Sequence, residues 1–526
     1  MSRRNRILLG VALLALLALA AVVGFENRAE TLQPCAEAHR PAATYPDYSA
    51  IVIPPNIAPL NLKVLEPGRK FCLRVSAGAG APVEVFSTGG NMRLQPGAWR
   101  KLLEANRGGE LRMDIYARRE SGWLHFATAR NRIAAEEIDP YVVYRYIPPV
   151  YNKWDQISIR QRDLRGFDER ILVDNQRSRD PGGNSAGSAC LNCHTFLNHG
   201  ASQMLLHLRP ARKSQIPAMI LARQGRAEMV DTRDGPAPPA AYTSWHPSGK
   251  LLAFSRNRLV QVFHTAGVET REVVDQASDL GLYLVDTGQV QAVSEISRPD
   301  RLETFPVWSP DGRYLYFSSA PLLWPDNKNI HLLYDKVQYD LARIAYHPVT
   351  GRWGQVETVV AAAQLGKSVS LAQVSPDGRF LMFCGHDYGS FPIFQPSSDL
   401  YLLDLSRSGA APRRLDEINS GRTDSYHSWS SNSRWVVFSS KREDGMFARF
   451  YISHLEAGGR FGKPFVMPQE DPGFYGRCLM TFNRPELVRE PVTVSPTELM
   501  RAINLATRRP EDAAPAPSDT PWQPLR

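Results

Sequence analysis

The sequence predicts a mainly β protein, a β-propeller preceded by a small β-sandwich-like domain. Three observations carry this expectation. A ten-residue pattern of strand, tight turn and strand recurs four times between residues 245 and 438. Short alternating apolar and polar runs fill residues 61–135. Ala189-Cys190-Leu191-Asn192-Cys193-His194-Thr195, which holds a single Cys-x-x-Cys-His motif, lies between those two regions.

The repeat begins with Trp245-His246-Pro247-Ser248-Gly249-Lys250. It returns as Trp308-Ser309-Pro310-Asp311-Gly312-Arg313, Val374-Ser375-Pro376-Asp377-Gly378-Arg379 and Trp429-Ser430-Ser431-Asn432-Ser433-Arg434. Pro-Asp-Gly is turn chemistry, and an apolar strand follows each copy. Further strands are expected at 282–286, 341–346, 400–405 and 450–454, which makes four strands per unit. The steps of 63, 66 and 55 residues exceed an ordinary blade and place insertions near 257–280 and 320–338. Residues 219–223 and 226–231 read as the last strands of a degenerate fifth unit. Residues 476–490 could supply part of a sixth.

Ahead of the propeller, expected over 211–490, four further segments are distinguished. Residues 1–25 are a signal anchor or transmembrane helix, 26–60 a Pro-rich tether, 61–135 the sandwich-like domain, and 136–210 a partly helical connector with a c-haem-binding segment. Residues 491–526 form a C-terminal helix near 494–507 and a disordered tail.

Arg3, Arg4 and Arg6 precede an apolar run from Ile7 to Gly24, the pattern of an export signal. Its 18 residues just span a bilayer, and the reading adopted is an uncleaved single-pass anchor, with Ala18-Leu19-Ala20 as the alternative cleavage site. The positive flank stays inside, so the bulk of the chain is expected in the bacterial periplasm, held to the inner membrane. The net charge of +9 is mild, and no basic block interleaved with aromatics occurs, which argues against nucleic acid as a partner.

Export makes the cysteine motif chemically meaningful. Two thiols three positions apart can add to the vinyl groups of one haem, so Cys190 and Cys193 are the expected thioether residues of one covalent haem c. His194 is the expected proximal iron ligand. A zinc site using Cys190, Cys193 and His194 or His199 is the competing reading. For the second axial position His207 is preferred over Met204; three apart on a helix, they would share a face. Cys35 and Cys72 could pair in an oxidising compartment. Cys384 reads as a buried thiol, and Cys478 is unassigned. His246 reads as a blade-turn residue. His386, Asp387 and His427 could meet at a channel mouth as a binding or metal site. No catalytic residue is assigned; no Ser-His-Asp signature, HExxH motif or phosphate loop stands out.

The Ser-Pro-Asp-Gly repeat resembles that of TolB-like propellers. Together with Ile57-Ala58-Pro59-Leu60-Asn61, Cys190–His194 and Tyr426-His427-Ser428-Trp429, it resembles a family of bacterial envelope proteins joining a membrane anchor, one c-haem motif and such a propeller. The resemblance implies architecture and haem attachment, not a reaction. Three functions follow as expectations: electron transfer to an unknown redox partner, an envelope scaffold or binding protein with a structural or sensory haem, or a haem-dependent oxidoreductase with its active site at the propeller.

Overall fold

The computed structural model describes residues 32, 35–149, 156–177, 189–210, 218–230, 232, 240–267, 269, 271–325 and 328–506. The apolar run 7–24, the turn expected at 181–185, the tail 508–526 and the side chains of Cys190 and Asn192 lie outside that description. No helix among the described residues is long and apolar enough to cross a membrane. The chain divides into two compact units.

The smaller unit takes in Pro59–Ile133, the chain up to Ala50, and Pro468–Gly476. Its central strand, Glu110–Arg119, pairs with Lys70–Ala77 on one edge and with Gly122–His125 and Ala129–Ile133 on the other. Leu111, Met113, Ile115 and Ala117 point inward and alternate with polar residues, as period-two patterning requires. A second sheet joins Thr44–Tyr45, Leu62–Val64 and Asn91–Met92. The helix Pro96–Ala105 starts on a proline, whose fixed φ suits the first turn, and buries Trp99, Leu102 and Leu103. The segment expected as a tether is partly built into this unit. Cys35–Glu37 pairs with Gly122–His125, and Arg40 makes a two-pronged 2.6 Å contact with the Glu66 carboxylate, which also accepts the Ala43 N–H at 2.8 Å. Cys35 and Cys72 pack into one apolar cluster with Trp123, Tyr116 and Phe86 and are not bridged to each other.

The larger unit holds six four-stranded sheets, one more than the repeat makes visible. Each is an antiparallel meander, and each packs against the next. Their innermost strands are Thr481–Val488, Ala189–Leu197, Ala240–Trp245, Arg301–Trp308, Ser368–Val374 and Asp424–Trp429. Each abuts the following one, and the last returns to the first, which closes a six-bladed propeller.

Two expectations change here. The partly helical connector is instead three strands, Tyr141–Ile147, Ser158–Asp163 and Glu169–Asp174. They form the first blade, and Thr481–Val488 from the far end of the chain supplies its innermost strand. Arginines obscured the strand pattern: Arg160 lies 3.9 Å from the Tyr146 ring centroid and Arg165 5.0 Å from that of Tyr141, charged heads on aromatic faces. Second, the cysteine motif is not on a separate segment. Ala189–Leu197 and Gly200–Pro210 are the two inner strands of the second blade, and the strands predicted from 219–223 and 226–231 complete it as Ala218–Arg223 and Arg226–Val230.

The turn of each repeat behaves as its residues require. Gly249, Gly312 and Gly378 take φ near +70°, and Ser433 takes +60° in the copy without glycine. Asp311, Asp377 and Asn432 each accept the N–H two residues on, so Asn substitutes for Asp without changing the bond. The C-terminal helix Pro496–Ala506 begins where predicted, with Ser495 Oγ accepting the Glu498 N–H.

Leu487 is fully buried on the closing strand. Leu487→Ala is expected to lower unfolding stability by about 2–5 kcal/mol, whereas Leu332→Ala, at an exposed site, changes it by less than about 0.5 kcal/mol. Urea unfolding of the two variants measures both.

Candidate functional site

Every innermost strand carries a β-bulge at the same level. In five of the six, the residue three before the strand's last apolar anchor is held left-handed: Tyr242, Phe305, Leu371, Tyr426 and Arg484, with φ between +32° and +52°. Non-glycine residues there cost about 1–3 kcal/mol each. In the second blade Cys193 takes this place, because Phe196 pairs with Met204 as Trp245 pairs with Leu252 and Trp429 with Val436.

These six side chains meet at the propeller's centre. The Tyr242 and Phe305 rings meet at a tilt of 52° with centroids 4.5 Å apart, and Phe391 closes on both at 5.9 and 5.7 Å. On the other side Arg484 brings Nη1 to 2.6 Å from Cys193 Sγ. Tyr242, Leu371, Tyr426 and Arg484 retain partial exposure on the innermost strands, so the ring encloses a channel rather than a solid core. An arm crosses one end of it. The hairpin Leu251–Phe263 with Arg271–Leu284 is the insertion predicted near 257–280. Its Asp275 accepts from Asn257, Tyr339 and Ser390, its Glu272 meets Tyr388, and Glu269 beyond the hairpin tip contacts the buried Lys441 of the sixth blade.

His194 faces away from the channel. It is fully buried, and its Nε2 donates to the Val143 carbonyl of the preceding blade at 3.1 Å. His427 does the same to Met382, at 3.0 Å. Cys193-His194-Thr195-Phe196 therefore repeats Tyr426-His427-Ser428-Trp429 position for position. Burial, then the charge of Arg484, with Arg145 contributing, pushes His194 down to about 3, against the Val143 bond. The ring is thus neutral, and its buried Nδ1 has no hydrogen-bond partner among the described residues.

Thr195 and Phe196 carry the link back to the closing strand. Glu486 accepts the Phe196 N–H at 2.7 Å, the role that Ser244 plays for Trp308 and Ser428 for Leu487. Burial pushes this carboxyl up to about 7. Tyr426 is pushed up to about 12 by burial and the neighbouring Cys193, against Arg484 and Arg145.

The remaining sequence candidates are dispersed. Met204 and His207 lie on a strand, not a helix, so their spacing of three puts them on opposite faces. Met204 packs in the core with Leu206 and Leu208, and His207 is buried on the other face. His199 sits in the turn, its Nδ1 on the Leu487 carbonyl. His246 is the turn residue expected, bonded to Ser248 Oγ and the Gly312 carbonyl. His386 is buried against Ser370, while the exposed Asp387 pairs with Lys367. His427 serves the blade interface, so the expected channel-mouth cluster is not assembled. No group of three metal-ligating side chains occurs among the described residues. Cys384 is a buried thiol whose pKa burial raises, and Cys478 lies 3.4 Å from the Tyr146 hydroxyl.

The haem expectation divides at this point. Cys193 projects into the channel beside a cation suited to a propionate, which fits. His194, turned between blades with Nε2 engaged, does not present itself to a group in that channel. Arg484 escaped the sequence reading, although a signal existed: Phe305-Pro306-Val307-Trp308 and Arg484-Pro485-Glu486-Leu487 share a proline after the bulged residue.

Neither a protein-family model nor a curated protein sequence matches the chain. Among solved structures it is similar to TolB from Acinetobacter baumannii, with a TM-score of 0.40 and 16% identity over 72% of this chain and 79% of that one. It is also similar to an oligogalacturonate lyase from Vibrio parahaemolyticus, with a TM-score of 0.34 and 13% identity over 75% and 100% of the two chains. A chain of a nidogen/laminin complex gives 0.35 and 7% identity over 67% and 99%. The propeller assignment rests on the closed ring of sheets itself.

Glu486 makes stability pH-dependent. Its folded pKa lies above the unfolded value of 4.5, so the stabilisation is fully present below that value and is lost as pH rises through about 7. A shift of this size corresponds to about 3 kcal/mol. Glu486→Gln is expected to flatten the decline in melting temperature between the two pH values; an unchanged slope places the titration elsewhere.

Proposed function

We propose that the chain is an exported, membrane-tethered β-propeller of the bacterial envelope that carries one c-type haem on its second blade and serves electron transfer or redox-linked partner binding. The observation that carries this reading is the position of Cys193: the second cysteine of the motif takes the bulge position of its innermost strand, with Sγ 2.6 Å from Arg484 Nη1. Cys190 and Cys193 would hold the group by thioether bonds, and Arg484 would meet an acidic substituent. Bound there, haem would supply one-electron chemistry. With His194 set as it is, axial ligation needs this histidine to turn from Val143, or another ligand to take its place.

The second reading is an envelope binding protein without haem. Its support is that His194 does what His427 does, so the motif's histidine already has a structural use. Expression in a host competent for c-type maturation, followed by a pyridine haemochrome spectrum, separates the two. The first reading expects one covalent haem per full-length chain, lost in Cys190→Ala/Cys193→Ala. A wild-type chain with no covalent haem leaves the second.

A further inference from the structure

Arg484 is an unusual residue to find at the centre of a propeller. The other five side chains of its ring are a thiol, two tyrosines, a phenylalanine and a leucine. A guanidinium stays charged in any protein environment and offers five N–H donors in a fixed fork. Among the described residues, the hydrogen bond to Cys193 Sγ is the one side-chain bond Arg484 makes, and it forms no ion pair. The nearest carboxyl, Glu486, is committed to Phe196 N–H and Thr195 Oγ1.

A second cation reinforces the first. Arg145, on the adjoining strand of the same blade, is near enough to act on both His194 and Tyr426. Its buried Nε has no hydrogen-bond partner, and it forms no ion pair among the described residues. Neither guanidinium forms an ion pair with a carboxylate among the described residues, although the charge of Glu486 reaches Arg484, so both keep N–H donors for an incoming anion. The phenol groups of Tyr242 and Tyr426 lie within electrostatic reach of Arg484 and add hydroxyl donors.

We propose that the propeller channel is a carboxylate-binding site in which Arg484 takes the carboxylate two-pronged, with the field of Arg145 behind it and the aromatic wall of Tyr242, Phe305 and Phe391 receiving the apolar part of the ligand. The carboxylate can come from a free small organic acid or from a propionate of a haem held at Cys193. The proposal does not rest on the haem reading; haem content decides only which source is present.

The test uses full-length protein whose haem content is first measured by pyridine haemochrome. In haem-free chain, the wild-type melting temperature rises saturably with succinate at constant ionic strength. Arg484→Gln weakens that apparent affinity by about 10- to 100-fold. Arg484→Lys, which keeps the charge without the fork, falls between them. The surface variant Arg460→Gln responds as wild type does. In haem-loaded chain, succinate has no effect, and Arg484→Gln lowers the haem midpoint potential while Arg460→Gln leaves it alone. If Arg484→Gln and Arg484→Lys match wild type in whichever form is isolated, the site is overturned. If the glutamine variant does not fold, the lysine variant decides in chain expressed without c-type maturation: a succinate response equal to wild type overturns the proposal.

Discussion

The strand that closes the ring is tied to the second blade by a short set of hydrogen bonds. The Phe196 N–H to the Glu486 carboxylate is the central one, with Thr195 Oγ1 on the same carboxylate and His199 on the Leu487 carbonyl. The central bond links this strand, drawn from the end of the larger unit, to the strand that carries Cys193 and His194. Opening the ring at this seam would leave the inner strands of the first and second blades without a neighbour on one side. Two other seams use a serine hydroxyl at this position, Ser244 and Ser428. Here a carboxyl group accepts the bond, and burial raises its pKa. The seam and the channel's polar half are therefore one electrostatic system, with Arg484 two residues from Glu486.

That proximity explains why chemistry collects on one side of the ring. Blades three and four put Tyr242 and Phe305 into the channel, and Phe391 seals them into an aromatic wall. Blades six, one and two put in Tyr426, Arg484 and Cys193. The backbone at this level is left-handed in five of the six strands, a strained conformation repeated around the ring. The bulge turns one side chain per blade toward the axis, which a regular strand would point between blades.

Much of this was legible in the sequence. Pro-Asp-Gly turns between apolar strands marked four blades, and the copy with Ser431-Asn432-Ser433 folds the same way because Asn432 reproduces the aspartate's bond and Ser433 tolerates a positive φ. The long insertion near 257–280 was visible from repeat spacing alone. The first blade was legible only in part: residues 476–490 were open to a ring-closing role, but that strand lies more than 300 residues from the other three, and arginines over Tyr141 and Tyr146 hide the alternation of those three. The outer half of the second blade was legible as the last strands of a degenerate unit; its inner half was not, because Cys-His-Thr-Phe matches Tyr-His-Ser-Trp in position and not in residue type.

The sequence by itself determined the strand–turn repeat, the mainly β class, and the presence of two thiols and a histidine at the spacing of a c-type haem. These depend on local patterns, and local patterns survive without knowledge of what packs against them. Only the tertiary structure decided that there are six blades, that Cys193 faces a channel while His194 faces Val143, and that Arg484 stands opposite the thiol. Each of these depends on which strand becomes the neighbour of which, and in a ring closed by its own last strand that is settled by contacts between residues hundreds of positions apart.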